Sequence, residues 1–526
     1  MNSSEKNAVI LAAGFSSRFV PLSLEVPKGL LKVKGEILIE RQIRQLKEAG
    51  IKDITVVVGY LKEQFFYLED LFGVNIVINE DYYRYNNVSS LILVLDKLKN
   101  TYICSSDNYF ERNPFTSDMA ESGYYSAEFS DKKTDEYCMS CENDIITSVT
   151  VGGEHSWYMI GHVYFDEKFS QKFRKILQKA YQDEGNRRLL WEDVYIQHLN
   201  ELELKIRKSY QNIYEFDSLN DLVKFDKDFL EHHSSRVLDN ICSTLNCRRG
   251  DLHSFSRIKS GMTNNSFAFF VNSNQYVYRH PGRNTSYINR ESEFYSMEAL
   301  KAYPKTGDNS YIQMNPKEGW KISKFIEGAE ELDYSNLVDV KQAITKLKSL
   351  HDLKIFSPYQ FDIWEKIENY LKRFDSQELS KIKGFDELYA KCHELYNLCE
   401  EDSYPKCLCH CDSFAPNFLK HPKGMELIDW EYSGYSDPAI DLGTFLCCAE
   451  QYDIDNVNQI LLLYFGRNYS IQEYRHYIAY VSIASLYWFI WALYQESTGK
   501  LVGHYLYLWH KNAKFYSNLA LSLYEK

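Results

Sequence analysis

Leu11-Ala12-Ala13-Gly14-Phe15-Ser16-Ser17-Arg18, followed downstream by Pro27-Lys28, decides how the first half of this chain folds. The apolar run 8–12 leads straight into a turn of small residues, where backbone N–H groups can approach a phosphate closely. Arg18 and Lys28 add the positive charge that neutralises phosphate oxygens. A plain strand-to-helix turn with two solvated basic residues needs neither that composition nor that spacing. Outward from this stretch, helical and strand-like segments alternate. Residues 37–49 form an amphipathic helix, 54–58 and 76–78 strands, and 102–105 a strand that follows the helix holding 91–98. The alternation predicts an α/β domain with a mostly parallel sheet and crossover helices.

At 526 residues the chain exceeds one ordinary hydrophobic core, so two or three domains are expected. A composition of 44% hydrophobic and 25% charged residues with 11 Pro excludes disordered and fibrous classes. The net charge of -13 argues against nucleic acid as a partner, because a phosphate backbone needs a basic footprint. Small phosphates need only a local nest of amides and one or two cations. The N-terminal MNSSEKNAVILAAG lacks a basic segment ahead of a hydrophobic stretch and a small-residue cleavage site, so a cytoplasmic enzyme is expected. The most apolar late stretch, 478–493, contains Ser, Trp and Tyr between Arg475, His476 and Glu496; this predicts a buried helix without stable membrane insertion. The twelve cysteines are expected as reduced thiols. Cys138 and Cys141, and the alternating Cys407, Cys409 and Cys411, have no second pair at zinc spacing, so no structural metal is expected.

Further along, Cys104-Ser105-Ser106-Asp107-Asn108 places an acid at the C-terminal end of a strand, the side on which open α/β sheets bind ligands. A carboxylate there suits Mg²⁺, which prefers oxygen donors and substrate phosphates. Glu215 and Asp217, two apart on a later strand, can point the same way and complete the coordination. Trp157 and Tyr158, with Trp191, Glu192 and Asp193, are candidates to surround a quaternary ammonium by cation–π and charge contacts. Aromatic residues are 15% of the chain, so simple core packing competes with that role. The strand–helix alternation fades after 214–217, a charged segment spans 226–236, and a new start follows, which puts the domain boundary near 230.

The second half carries His410-Cys411-Asp412-Ser413-Phe414-Ala415-Pro416-Asn417, with the H-x-D-x-x-x-x-N spacing of a kinase catalytic loop. In such a loop Asp412 accepts the proton of a substrate hydroxyl and Asn417 binds Mg²⁺. Leu427-Ile428-Asp429-Trp430-Glu431-Tyr432 follows, and Asp429 at the end of its apolar run supplies a second metal carboxylate. Upstream, the segment 259–266 lies between strands where Ser260 and Asn265 can fold over ATP phosphates. Arg279 ends the strand 276–279 at the position where protein kinases keep lysine, and Glu293 on the next helix is its expected ion-pair partner.

The N-terminal residues resemble the nucleotidyltransferase signature L-A-A-G-x-x-S-R followed by P-K, most nearly that of bacterial CTP:phosphocholine cytidylyltransferases, over residues 6–230. The resemblance implies a Rossmann-like domain in which Leu11, Ala12, Ala13 and Gly14 line the nucleotide and Arg18 and Lys28 act on its phosphates. Asn86 and Ser89 would approach base and ribose, Asp107 and Asp217 would hold metal, and Trp157 and Asp193 would contact the substrate. Residues 250–510 resemble choline and ethanolamine kinases and the wider aminoglycoside-phosphotransferase group, in which arginine replaces the strand lysine and Ile-Asp-Trp/Phe-Glu-Tyr replaces D-F-G. This implies a two-lobed kinase-like α+β domain with Tyr432, Trp488 and Trp491 in a choline pocket. Trp488 and Trp491 share a helix face.

The joint expectation is a bifunctional enzyme with domains 1–230 and 231–526 and Mg²⁺ at both sites. ATP would phosphorylate choline, and CTP would convert phosphocholine to CDP-choline and pyrophosphate. Two alternatives stay open. The same folds could act on ethanolamine or an aminoalkylphosphonate, or one domain could be a non-catalytic nucleotide-binding or scaffolding module; the complete acid set argues against the latter.

Overall fold

The computed structural model describes residues 5–119, 121–209, 212–258, 264–282, 285, 287–374, 379 and 381–525. The chain forms two compact units, Met1–Ile258 with Phe267–Asn274, and Lys259–Ser266 with Gln275–Lys526.

In the first unit, β1 (Asn7–Ala12) lies between β2 (Asp53–Val58) and β4 (Thr101–Ser105), with β3 (Asn75–Ile78) outside β2. All three pairings are parallel, and Asn7 through Ala12 match Asp53 through Val58 residue for residue. Val9, Ile10, Val56 and Val57 are wholly buried, as strands covered on both faces require. Helix α1 (Leu38–Glu48) covers the sheet with Ile39, Ile43 and Leu46, spaced so that one helical face carries all three.

The expected parallel pairing holds for these four strands, and beyond them antiparallel pairs enter beside one further parallel pair. The nine-stranded order is β3-β2-β1-β4-β9-β6-β10-β8-β7, where β6 is Tyr124–Ser130, β7 Thr134–Glu142, β8 Ile145–Gly153, β9 Ser156–Phe165 and β10 Lys205–Lys208. β9 runs antiparallel to β4 and β6, and β7 to β8. For β7 and β8 the cause is local: Asn143-Asp144, at φ 51° and 63°, closes them as a two-residue hairpin, and so short a link permits only antiparallel neighbours. Near the chain's functional edge, β5 (Asn108–Phe110) pairs antiparallel with β11 (Ile213–Glu215), setting Glu215 opposite Asn108. That pairing brings Glu215, from more than a hundred residues downstream, beside Asp107. The sequence boundary near 230 compares with a first unit that runs to Ile258, because the Glu25 carboxylate accepts hydrogen bonds at the start of helix α2 (Arg236–Leu245), from the amides of Arg236 and Val237, at 2.9 and 3.3 Å, and from the Ser235 hydroxyl.

In the second unit, β12 (Asn274–Pro281) pairs through Tyr276–Arg279 with β14 (Lys321–Lys324), which also pairs with β13 (Tyr311–Met314). Helix α3 (Arg290–Leu300) precedes β13. The helical part holds α4 (Leu337–Asp352), α5 (Ile363–Leu371), α6 (Ala439–Cys447), α7 (Ile471–Ser497) and α8 (Tyr505–Tyr524). Between α5 and α6 the hairpin of β15 (Phe418–His421) and β16 (Gly424–Leu427) delivers Asp429. α7 is long and apolar enough to cross a membrane, and 89% of its apolar window is buried inside the protein. Gly443 lets α6 cross it closely, since a Cβ there would stand 2.5 Å from the Tyr480 carbonyl oxygen. All twelve cysteines are free thiols.

Candidate active sites

In the first unit the turn after β1 is held from both sides. The Ser106 amide donates to the Leu11 carbonyl at 3.1 Å and the Tyr60 amide to that of Ala13 at 3.0 Å. Gly14 faces open space, and Gly29 lies so close to the strand-end loop that a Cβ would meet Ser106 at 2.8 Å. The result is a cleft of about 250 Å³ lined by Leu11, Ala12, Ala13, Gly14, Lys28, Asn86 and Asp107. Asn79, Tyr82 and Tyr85 also line it and were missed in the sequence reading; the tyrosine-rich run ahead of Asn86 is the signal that could have found them. Ser89 does not line the cleft. It sits behind it, donating to the Asn86 carbonyl at 2.7 Å and accepting from Asn79 Nδ2 at 2.9 Å, and so supports Asn86.

The charged groups gather at one edge. Lys28 pairs with Asp107, and Arg18 Nη2 lies 3.2 Å from Asp217 Oδ1. Asp107 is buried, and its Oδ1 has no hydrogen-bond partner among the described residues. Glu215 accepts from the Gly161 amide at 3.3 Å. Solvent reaches its side chain, yet the protein crowded around its carboxyl, and then the charge of Asp107, hold it up at about 8. Clustered carboxylates with an unpaired buried oxygen and no sulfur or imidazole among them suit a hard divalent ion such as Mg²⁺.

Trp157 and Asp193 have protein partners already. Trp157 meets Phe129 edge-on at 5.3 Å, with Lys208 Nζ 5.6 Å from its ring centre. Asp193 caps the short helix Trp191–Ile196, accepting from the Leu190 amide at 2.9 Å, and takes the Tyr137 hydroxyl at 2.8 Å. Its neighbour Glu192 accepts from the cleft residue Asn87 at 3.3 Å and from Tyr125 at 3.4 Å, and burial raises its carboxyl to about 7.

The second unit assembles its predicted set more tightly. Asn417 Nδ2 donates to the Asp412 carbonyl at 2.7 Å and to its Oδ2 at 3.0 Å, leaving Oδ1 buried without a partner among the described residues. Burial, then the charges of Asp429 and Glu431, push the Asp412 carboxyl well above the usual range. Arg279 forks onto Glu293 at 2.5 and 2.7 Å and reaches Asp429 at 3.1 Å. Cys411 and Asp429 both adopt left-handed backbone, at φ 63° and 62°, a strained conformation for side chains of this kind that the surrounding contacts must hold. Asp441 holds the first of them: buried at the start of α6, it accepts from the amides of His410 and Cys411 at 2.9 and 2.6 Å. Its Oδ2 also meets His351 Nε2 at 2.9 Å. Asp441 was missed in the sequence, since one Asp inside an apolar helix carries no motif. Arg290, which bridges Glu293 and Glu431 at 3.0 and 3.1 Å, was missed likewise. Asn265 stands in the strand Asn264–Val271, and Ser260 lies outside the described residues.

Tyr432 lines a cavity of about 320 Å³ together with Tyr287, Tyr370, Tyr487 and Glu431. Trp488 and Trp491 do not line it. They pack behind, Trp488 edge-on to Tyr432 at 5.7 Å and to Tyr487 at 4.9 Å, with Trp491 at 5.5 Å from Trp488. Four tyrosine rings and a carboxylate suit a substituted ammonium, which gains from ring faces without needing a hydrogen bond.

Compared with known proteins, residues 8–194 match the MobA-like NTP transferase domain and residues 255–482 the choline/ethanolamine kinase family. The chain is 35% identical over 221 residues to a choline-phosphate cytidylyltransferase of Streptococcus pneumoniae, covering 42% of this chain and 96% of that protein. It is equally 35% identical over 234 residues to a 2-aminoethylphosphonate cytidylyltransferase of Lancefieldella rimae, covering 44% and 95%. To protein LicA of Haemophilus influenzae it is 25% identical over 263 residues, covering 48% and 76%.

Proposed function

As a chain that belongs to the MobA-like NTP transferases over its first unit and to the choline/ethanolamine kinases over its second, this protein is a two-enzyme fusion, and we propose that it makes CDP-choline from choline. The second unit phosphorylates choline with ATP, and the first joins phosphocholine to CMP from CTP, releasing pyrophosphate. One observation carries the reading: a cytidylyltransferase site and an amino-alcohol kinase site share a chain, and the product class of one is the substrate class of the other.

In the kinase step the ammonium of choline lies against Tyr432 and Glu431, and Trp488 and Trp491 back the tyrosine. The choline hydroxyl gives its proton to Asp412 as its oxygen attacks the γ-phosphorus and ADP leaves. Arg279, locked by Glu293, faces the phosphates, while Asp441 keeps the strained loop under Asp412 in place. Asn417 and Asp429 would hold Mg²⁺. In the cytidylyl step a phosphocholine oxygen attacks the α-phosphorus of CTP in line, and the pyrophosphate group departs. Lys28 and Arg18 neutralise the charge that builds on the phosphates, so positioning and electrostatics supply the rate. Asp107, Glu215 and Asp217 would hold Mg²⁺ there. When bound, the ion at each site screens phosphate charge and aligns the reacting oxygens. Free thiols at all twelve cysteines and nucleotide triphosphate substrates favour a cytoplasmic location.

A second reading of the first site, transfer to 2-aminoethylphosphonate, has one specific support in the equal identity to such an enzyme. A phosphonate needs no kinase, which favours phosphocholine. Incubating the full chain with choline, ATP, CTP and Mg²⁺ and looking for CDP-choline tests the proposal. Activation of aminoethylphosphonate or ethanolamine with no CDP-choline formed would overturn it.

A further inference from the structure

The cavity beside Glu431 has two chemically opposite ends. Its inner wall holds Glu431, Tyr370 and Tyr487, all at most 5% exposed, and the Tyr487 hydroxyl is buried without a partner among the described residues. Its outer wall is cationic: Lys366 on α5 and, just past that helix, the exposed Lys372 and Arg373. Arg373 is held at this mouth. Its guanidinium carbon lies 5.8, 5.7 and 5.3 Å from the ring centres of Tyr287, Tyr370 and Tyr494, and its Nη1 donates to the Tyr494 hydroxyl at 3.4 Å.

A bare ammonium gains at the inner wall and is repelled at the mouth. Arg290 and Asn264 already share the Glu431 carboxylate, at 3.1 and 2.8 Å, so one partly neutralised acid stands against three outer cations. A ligand that carries an anion behind its ammonium turns that repulsion into attraction, and the held guanidinium offers paired N–H donors to phosphate oxygens.

We propose that this cavity binds a zwitterion joining a substituted ammonium to a phosphate monoester, with the ammonium against Glu431 and the tyrosines and the phosphate against Arg373 and Lys366. The proposal rests on reading the second site as an amino-alcohol kinase, and its ligand is then that site's own product class. Held in this pose the phosphate points away from Asp412, so the product blocks the ammonium cage without reversing the reaction. Accumulated product thus restrains the kinase until the cytidylyl step removes it.

Calorimetric titration of the full chain with phosphocholine, without ATP or Mg²⁺, tests this directly. Binding is expected, and Arg373→Ala or Lys366→Gln should weaken it roughly tenfold each while leaving choline affinity equal or tighter. In kinase assays without CTP, phosphocholine should compete with choline, and the same variants should raise its inhibition constant in step with the binding loss. Unchanged phosphocholine binding in both variants, parallel loss of choline binding, or competition with ATP alone would overturn the proposal. Capture by phosphatidylcholine vesicles without binding of free phosphocholine would overturn it too, assigning the cavity to a lipid headgroup. Choline left unphosphorylated by the unmodified chain would instead count against the kinase reading, and the calorimetry stands apart from that result.

Discussion

Arg279 shows how much one side chain can organise. Its planar fork satisfies Glu293 twice and still reaches Asp429, so a single guanidinium fixes α3, β12 and Asp429 together. Lysine carries the same charge as a single point and cannot make the three contacts at once. Arg279→Lys should therefore fold and keep its choline KM, yet lose roughly tenfold in kcat/KM for ATP, read from initial rates at varied ATP. Asp193 poses the opposite question, because both its oxygens serve the protein. Asp193→Ala should cost about 0.5–2 kcal/mol of stability through the lost helix cap, seen as a lower urea midpoint. A large rise in the phosphocholine KM with unchanged stability would instead support the substrate-binding role that the resemblance implies.

Helix α7 is buried without a break from His476 to Ala492, and a charged anchor lies near its start. His476 bonds Asp437 at 2.9 Å and Asp402 at 3.3 Å, while Asp437 stands just ahead of α6 and thus of Asp441. Burial by itself would push the imidazole down; the bonds to Asp437 and Cys399 outweigh it and raise it from 6.5 to about 10. Protonated His476 is therefore favoured in the folded state. Its stabilisation is full below pH 6.5 and drains away as pH rises toward 10. The gap in melting temperature between the unmodified chain and His476→Gln should be widest below pH 6.5 and close toward pH 10. A gap that does not change with pH would show that shape rather than charge anchors α7.

At the scale of the whole molecule, two clusters of acids in two compact units make a separable prediction. Asp107→Ala should lower cytidylyl transfer roughly a hundredfold or more and spare the kinase. Asp412→Asn should lower kinase turnover by about 10²–10⁴ and spare cytidylyl transfer. Chelating Mg²⁺ should silence both, assayed as the two half-reactions separately. The sequence by itself determined the two chemistries, because phosphate turns and catalytic loops need particular residues at short spacings, and L-A-A-G to Lys28 and His410 to Asn417 are both local. It also fixed the parallel strands around β1, whose doubly buried faces read as continuous apolar runs. Tertiary structure decided the rest. The pairing of β5 with β11 brought Glu215 to Asp107, a contact with no local signature. Packing put Trp488 and Trp491 behind Tyr432 and set Tyr287 and Tyr370 in their place along the cavity. Asp441 and Arg290 gained their roles only from what the fold set beside them, because a buried charge is defined by its partners, and partners far apart in the chain meet only when the core has formed.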